Sequence, residues 1–185
     1  HPPDSKEAAR DRGIESLDLP ARVVLPLQQH IGAPLELKVQ RKDEVKVGQV
    51  IAGPAGFGSV PLHSPVSGTV KSVDREMHPT GVSMDAVVIE ADGEDAWVEG
   101  LEQERDWREL DADDLKKLIQ QAGIVGLGGA AFPTHVKLSP PPDKKIDTLL
   151  INGAECEPYL NADFRQMVER GEDLVEGIGI LQKIL

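Results

Sequence analysis

The stretch "LELKVQRKDEVKVGQVI", Leu35 to Ile51, sets the period of the first half of the chain. Leu35, Leu37 and Val39 alternate with Glu36, Lys38 and Gln40, the two-residue repeat of a strand with one inward face. Val45 and Val47 repeat the alternation, and Gly48 then turns the chain into "QVI". Working outward, "SGTVKSV" (Ser67–Val73) and "AVVIEA" (Ala86–Ala91) are further strands. Gly53, Pro54, Gly56, Gly58, Pro61 and Pro65 punctuate between them. Short strands between Gly/Pro turns, from Arg22 to about Asp92, predict a small all-β barrel or sandwich.

"VKVGQVI" followed by "SPVSGTV" (Ser64–Val70) also resembles the half-motifs of biotinyl- and lipoyl-type domains. Those carriers display a lysine on the hairpin between the halves. No lysine lies between Lys46 and Lys71 here, so the resemblance implies the fold and not a swinging-arm carrier. For this region a packing or docking role is expected.

Composition excludes several functions. The 185 residues carry 20 Lys+Arg against 32 Asp+Glu, a formal net charge of −12, which argues against a phosphate-tracking nucleic-acid surface. Hydrophobic residues make up 39% but aromatics only 3%, so the core must be built from Val, Ile, Leu and Ala. A single cysteine, Cys156, allows neither an internal disulfide nor a cysteine-built metal site. No run approaches the roughly 18 apolar residues of a membrane span, and no charged start leads into an apolar signal segment. A soluble, cytosol-type chain is expected. It starts abruptly at His1 and stops at "GILQKIL" inside a helical pattern, as expected of a fragment of something longer.

Residues 1–21 are polar, without sustained period, and read as an extended lead-in; 22–100 form the β domain. After the acidic stretch Ala91–Leu110 the period changes, so a boundary falls near residues 95–110 and an α/β domain occupies 101–185. Asp111 and Asp113 are N-cap candidates for a helix that places Leu115, Leu118, Ile119 and Ala122 on one face and stops at Gly123. "DTLLI" (Asp147–Ile151) reads as a short buried strand. Asp163 is expected to cap a helix that breaks near Gly171. A second helix then aligns Leu174, Val175, Ile178 and Leu181.

Between these helices lies "GIVGLGGAAFPTHVKL", Gly123 to Leu138. It is no Walker A loop, because no Gly-Lys-Ser/Thr follows. Gly126, Gly128 and Ala131 satisfy G-x-G-x-x-A, but a dinucleotide fingerprint needs a strand before it, and here a helix precedes. Two readings remain. Glycines let backbone N–H groups converge on a phosphate or lie flat against a ring, with Lys137 supplying charge. Otherwise the stretch is a tight turn.

The second motif, "LLINGAECEPYLNAD", changes the weighing. Asn152 offers an amide, and Glu155 and Glu157 can accept from ribose or ribityl hydroxyls. An acidic loop can also be merely solvated. The flanking carboxylates disfavour a thiolate at Cys156, which reads as structural or lining. His135 has no partner at metal-ligand spacing and reads as a packing histidine.

Together, "GLGGAAFPTHVKL" and "INGAECEP" resemble the RnfC family, the C subunits of the Rnf electron-transport complex, a membrane-bound ferredoxin:NAD oxidoreductase. The "HPP" start, "LPLQQHIGAP" and "SPVSGTV" resemble it too, so the likeness spans nearly the whole chain. More distantly, both motifs resemble the NADH-binding flavoprotein subunit of respiratory complex I. That flavoprotein has G-x-G-G-A-G-F-P-T-x-x-K followed by N-A-D-E-S-E-P. The last glycine of that pattern is Ala131 here, its aspartate is Ala154, and the aromatics after its lysine are Leu138, Ser139 and Pro140.

The resemblance implies an α+β chain in two parts, a barrel-sandwich domain followed by an incomplete α/β domain for FMN and NADH, truncated at its C-terminus. It implies that Gly126, Gly128, Gly129 and Lys137 hold FMN and that Asn152, Glu155 and Glu157 line the flavin/NADH pocket. No catalytic side chain and no metal ligand is assigned. [4Fe–4S] clusters belong to the full-length protein and not to this chain, which is expected to be inactive alone. The implied activity passes electrons between NAD(H), flavin and iron–sulfur clusters or ferredoxin. The implied partners are the other proteins of the complex, on the cytoplasmic face of a bacterial inner membrane, with no nucleic acid. Two alternatives stay open: a non-catalytic docking module, and a soluble cobalamin-reductase-type flavoprotein of microcompartments.

Overall fold

The computed structural model describes residues 5–101, 103 and 105–185. The "HPP" start and Glu102 and Glu104 lie outside them. The strands are β1 (Arg22–Pro26), β2 (Glu36–Leu37), β3 (Glu44–Val45), β4 (Val50–Gly53), β5 (Leu62–His63), β6 (Gly68–Met77) and β7 (Ser83–Ala91). A 3-10 turn at Trp107–Glu109 precedes the helices α1 (Ala112–Gln121), α2 (Thr134–Lys137), α3 (Ala162–Glu169) and α4 (Gly171–Ile184). The chain divides into two compact units, residues 19–141 and residues 1–18 with 142–185.

In the unit 19–141, two antiparallel sheets with strand orders β1-β7-β6-β3 and β2-β4-β5 make a barrel-sandwich. Their inward faces supply Val39, Val45, Ile51, Val66, Val70, Val87 and Ile89, one cluster without an aromatic ring. Each such side chain contributes about 1.5–3 kcal/mol when fully buried. The alternation predicted for Val45 and Val47 holds, both being buried around exposed Lys46. The predicted inward run at Leu35–Val39 holds only in part. Leu35 and Val39 are buried but Leu37 is 40% exposed, because β2 is two residues long and has only β4 beside it.

Gly68 opens β6 where only glycine fits. Its φ is +153°, and an added Cβ would collide with the Glu90 carbonyl oxygen of β7. The sheet closes at the far side of this point by side-chain bonds. Ser67 Oγ donates to Asp92 Oδ1 at 2.6 Å, and the Ala96 N–H donates to Ser67 Oγ at 3.0 Å. The bonds that Asp92 accepts favour its ionised form and hold its carboxyl below the ordinary pKa.

α1 begins as predicted. Asp111 is the N-cap, and its side chain accepts from the Asp114 N–H at 2.8 Å. Leu115 is buried, and the helix ends on Gly123 at φ +73°. The same unit continues past α1 through the glycine stretch and α2.

The unit 1–18 with 142–185 has a different character. α3 and α4 break at Arg170–Gly171, as the sequence indicates. Among its described residues none is buried, and Val168, Leu174 and Val175 remain exposed. Asp147–Ile151 corrects the sequence reading: it is irregular and largely exposed, not a buried strand. A strand persists only where a neighbour satisfies its N–H and C=O groups, and no described strand lies beside it. Asp163 is likewise not the cap of α3. The N-cap position is Asn161, and Asp163 sits in the first turn.

Candidate functional site

The glycine stretch is built from the barrel outward. At the end of α1, a Cβ on Gly123 would lie 2.9 Å from the Pro61 carbonyl and 3.3 Å from His63 Nδ1, so the helix end rests directly on β5. Gln120 Nε2 donates to the Ser59 carbonyl at 3.1 Å and fixes the same approach. Burial under this contact lowers the His63 pKa, with the Gln121 backbone partly offsetting it.

Val125 then bridges Pro133, the Gly126 N–H donates to the Phe132 carbonyl at 2.8 Å, and the Thr134 N–H donates to the Ile124 carbonyl at 3.1 Å. These bonds pinch residues 127–131 into an outward loop. Leu127 at its tip is 93% exposed, and Gly128 and Gly129 face open space. Gly129 has φ +103°, and Ala131 occupies the left-handed region at φ +46°. Ala131 stands where the flavoprotein pattern has its last glycine, so the backbone asks for glycine there and accepts the smallest side chain instead.

α2 returns the chain under this loop. Pro133 fixes its entry, and His135 is buried at 2% exposure. His135 Nε2–H donates to the Phe57 carbonyl at 2.6 Å, and the Phe57 ring meets the imidazole edge-on at 5.3 Å. The packing role expected of His135 is therefore the one the structure gives it. Two residues on, Lys137 is exposed and its ammonium lies where a Cβ on Gly126 would project. Among the described residues no carboxylate pairs with Lys137. Exposed glycine backbone beside an unneutralised cation is a donor set suited to a phosphate. On that observation, Gly126, Gly128, Gly129 and Lys137 fit a mononucleotide cofactor. Phe57, which supports α2 from the β4–β5 connection, is invisible to local sequence reading because it lies 78 residues from His135.

The second motif belongs to the other compact unit. Asn152 is exposed, and its Oδ1 accepts from the Ala154 N–H at 2.9 Å, closing an Asx turn. Glu155 is half-buried, and its Oε2 accepts from the Asp163 N–H at 2.9 Å. The helix end that Asp163 is expected to cap is thus capped from outside by Glu155. Glu157 and Cys156 are exposed. Gly153 is held against Met167 of α3, whose Sδ would lie 2.8 Å from an added Cβ. The structure therefore groups the glycines with Lys137 in one unit and Asn152, Glu155 and Glu157 in the other. No helix among the described residues is long and apolar enough to cross a membrane.

Residues 1–94 match the family model of the RnfC barrel sandwich hybrid domain, and residues 119–185 match that of the Nuo51 FMN-binding domain. The C subunit of a proton-translocating ferredoxin:NAD(+) oxidoreductase complex from Clostridium ljungdahlii is 49% identical over 185 residues, covering 100% of this chain and 40% of the relative. Its Na(+)-translocating counterpart from Acetobacterium woodii is 45% identical over 99% of this chain and 41% of its own length. The C subunit of an ion-translocating oxidoreductase complex from Pectobacterium atrosepticum is 41% identical over 100% of this chain and 27% of its own length. The chain thus spans about 40% or less of the length of these relatives.

Proposed function

Because the chain belongs to the RnfC family, we propose that it is the flavin-holding part of the C subunit in an ion-translocating ferredoxin:NAD oxidoreductase complex. The observation that carries this reading is Lys137, exposed, without a carboxylate partner among the described residues, and resting against the glycine backbone at Gly126. The match of residues 119–185 to an FMN-binding domain supports it. FMN, when bound, accepts a hydride and releases electrons singly, which lets two-electron nicotinamide exchange with one-electron carriers.

The side chains act by positioning. Backbone N–H groups of Gly128 and Gly129 together with Lys137 bind the phosphate of FMN, Gly126 leaves the room in which the Lys137 ammonium rests, and the open loop face admits the ring system closely. Asn152, Glu155 and Glu157 contribute acceptors for nucleotide hydroxyls. None of these residues is assigned a proton transfer or a covalent bond. NAD(H) is the second nucleotide, and the [4Fe–4S] clusters that would exchange electrons with the flavin belong to the full-length protein. The barrel domain, residues 22–100, serves docking to the other proteins of the complex at the cytoplasmic face of the membrane. The flavin domain occupies 101–185, with the division supported by the gap between the two family matches.

The assembled complex with Lys137→Ala tests this. Its flavin content and its ferredoxin:NAD(+) oxidoreductase activity are expected to fall together. Full flavin occupancy of this site in the variant overturns the assignment.

A further inference from the structure

Residues 5–15 fall in the polar lead-in, yet they grip the second motif. The Ser5 N–H donates to the Pro158 carbonyl at 3.1 Å. Lys6 Nζ donates to the Glu157 carbonyl at 2.9 Å and also to the Leu160 carbonyl. Residues 7–11 then turn. Asn161 Nδ2 donates to the Ala9 carbonyl at 2.7 Å, Arg165 donates to the Arg10 carbonyl at 2.6 Å, and the Ile14 N–H donates to Glu169 Oε2 at 3.0 Å. All of these lie within one compact unit. That unit has no buried residue among those described, so hydrogen bonds rather than a core hold its loop.

Lys6 stands out in this set. One ammonium bridges two carbonyls three residues apart, on either side of Pro158 and Tyr159. It fixes the backbone that leaves Glu157 just as Glu155, through the Asp163 N–H, fixes the backbone that enters it. We propose that Lys6 is a positioning residue for the nucleotide site, clamping the Glu155–Leu160 loop so that Glu155 and Glu157 present their carboxylates in one arrangement. The inference rests on the reading that this loop contacts the nucleotide. A clamp of this kind raises affinity by removing the ordering cost from the binding step.

The test uses the full-length protein with Lys6→Met, Lys6→Arg, Glu157→Gln and the double variant Lys6→Met/Glu157→Gln. FMN and NADH affinities are measured by flavin fluorescence and by steady-state KM, alongside amide hydrogen exchange. Lys6→Met is expected to raise a nucleotide dissociation constant about tenfold, to speed exchange selectively at residues 153–161, and to be rescued by Lys6→Arg. The double variant should lose little beyond Glu157→Gln alone, because both act through one loop. Unchanged exchange at residues 153–161 in Lys6→Met overturns the clamp directly. Weakened binding in Glu157→Gln with unchanged binding in Lys6→Met overturns the positioning role and leaves the site standing. Unchanged binding in Glu157→Gln overturns the reading of the loop and the clamp with it.

Discussion

The Lys137 ammonium occupies the space into which a Cβ at Gly126 would project, eleven residues earlier in the chain. The two are brought together by the pinch at Val125–Pro133 and by the short return of α2 under the loop. The contact makes the glycine and the lysine one element: the absence of a side chain at 126 sets where the charge at 137 can rest.

Gly126→Ala should therefore act like a partial loss of Lys137. The obstructing atom is the end of a flexible side chain, so the lysine swings aside and the backbone stays. Flavin affinity is expected to fall about tenfold, the value of one charge-assisted bond of about 1.5 kcal/mol. The midpoint of thermal unfolding should hardly move. An unfolded Gly126→Ala protein would show that the residue serves the fold rather than the cation.

Gly68→Ala should damage the barrel instead. Here the obstructing atoms are the Glu90 carbonyl and, at 2.9 Å, Ala91 Cα, both backbone. The expected cost is about 2 kcal/mol or more. Gly177→Ala is the control, since that helical site in α4 has open space around it. It should gain about 0.5–1 kcal/mol. Thermal melts of the two variants check the contrast, and equal behaviour would contradict the close packing of β6 on β7.

Acid should weaken the seat of α1 on β5. Burial lowers the His63 pKa in the folded chain below its unfolded value near 6.5. Such a group contributes stability above about 6.5 and loses it as pH falls through the lower folded value. Between pH 7.5 and 5 the wild-type melting temperature should drop more steeply than that of His63→Gln. Parallel curves would show that His63 is not desolvated by this contact.

How much of this is legible in the sequence depends on how local each cause is. The strand alternation at Val45–Val47, the N-cap at Asp111 and the break at Gly171 follow from contacts within a few residues, and the structure repeats them. Asp147–Ile151 has the apolar composition of a strand, but pairing is a property of neighbours, and the described residues offer none. The cap of α3 escapes sequence reading because the carboxylate that supplies it, Glu155, sits eight residues back and outside the helix. Lys6 and Phe57 carry no local signal at all. Their partners lie 151 and 78 residues away, and only the folded chain brings them to the two motifs. The nearness of Gly126 to Lys137 is legible because it is local: eleven residues separate them, and a tight turn followed by one helical turn brings the ammonium back onto the glycine.

The central claim is that Lys137 and the glycine loop hold the phosphate of FMN. The most direct measurement is titration of FMN into the full-length protein and its Lys137→Ala variant, followed by flavin fluorescence. The account predicts saturable quenching in the parent and a dissociation constant raised at least about tenfold in the variant, as one lost charge-assisted bond requires. Equal dissociation constants for the two proteins, with both folded, would contradict it.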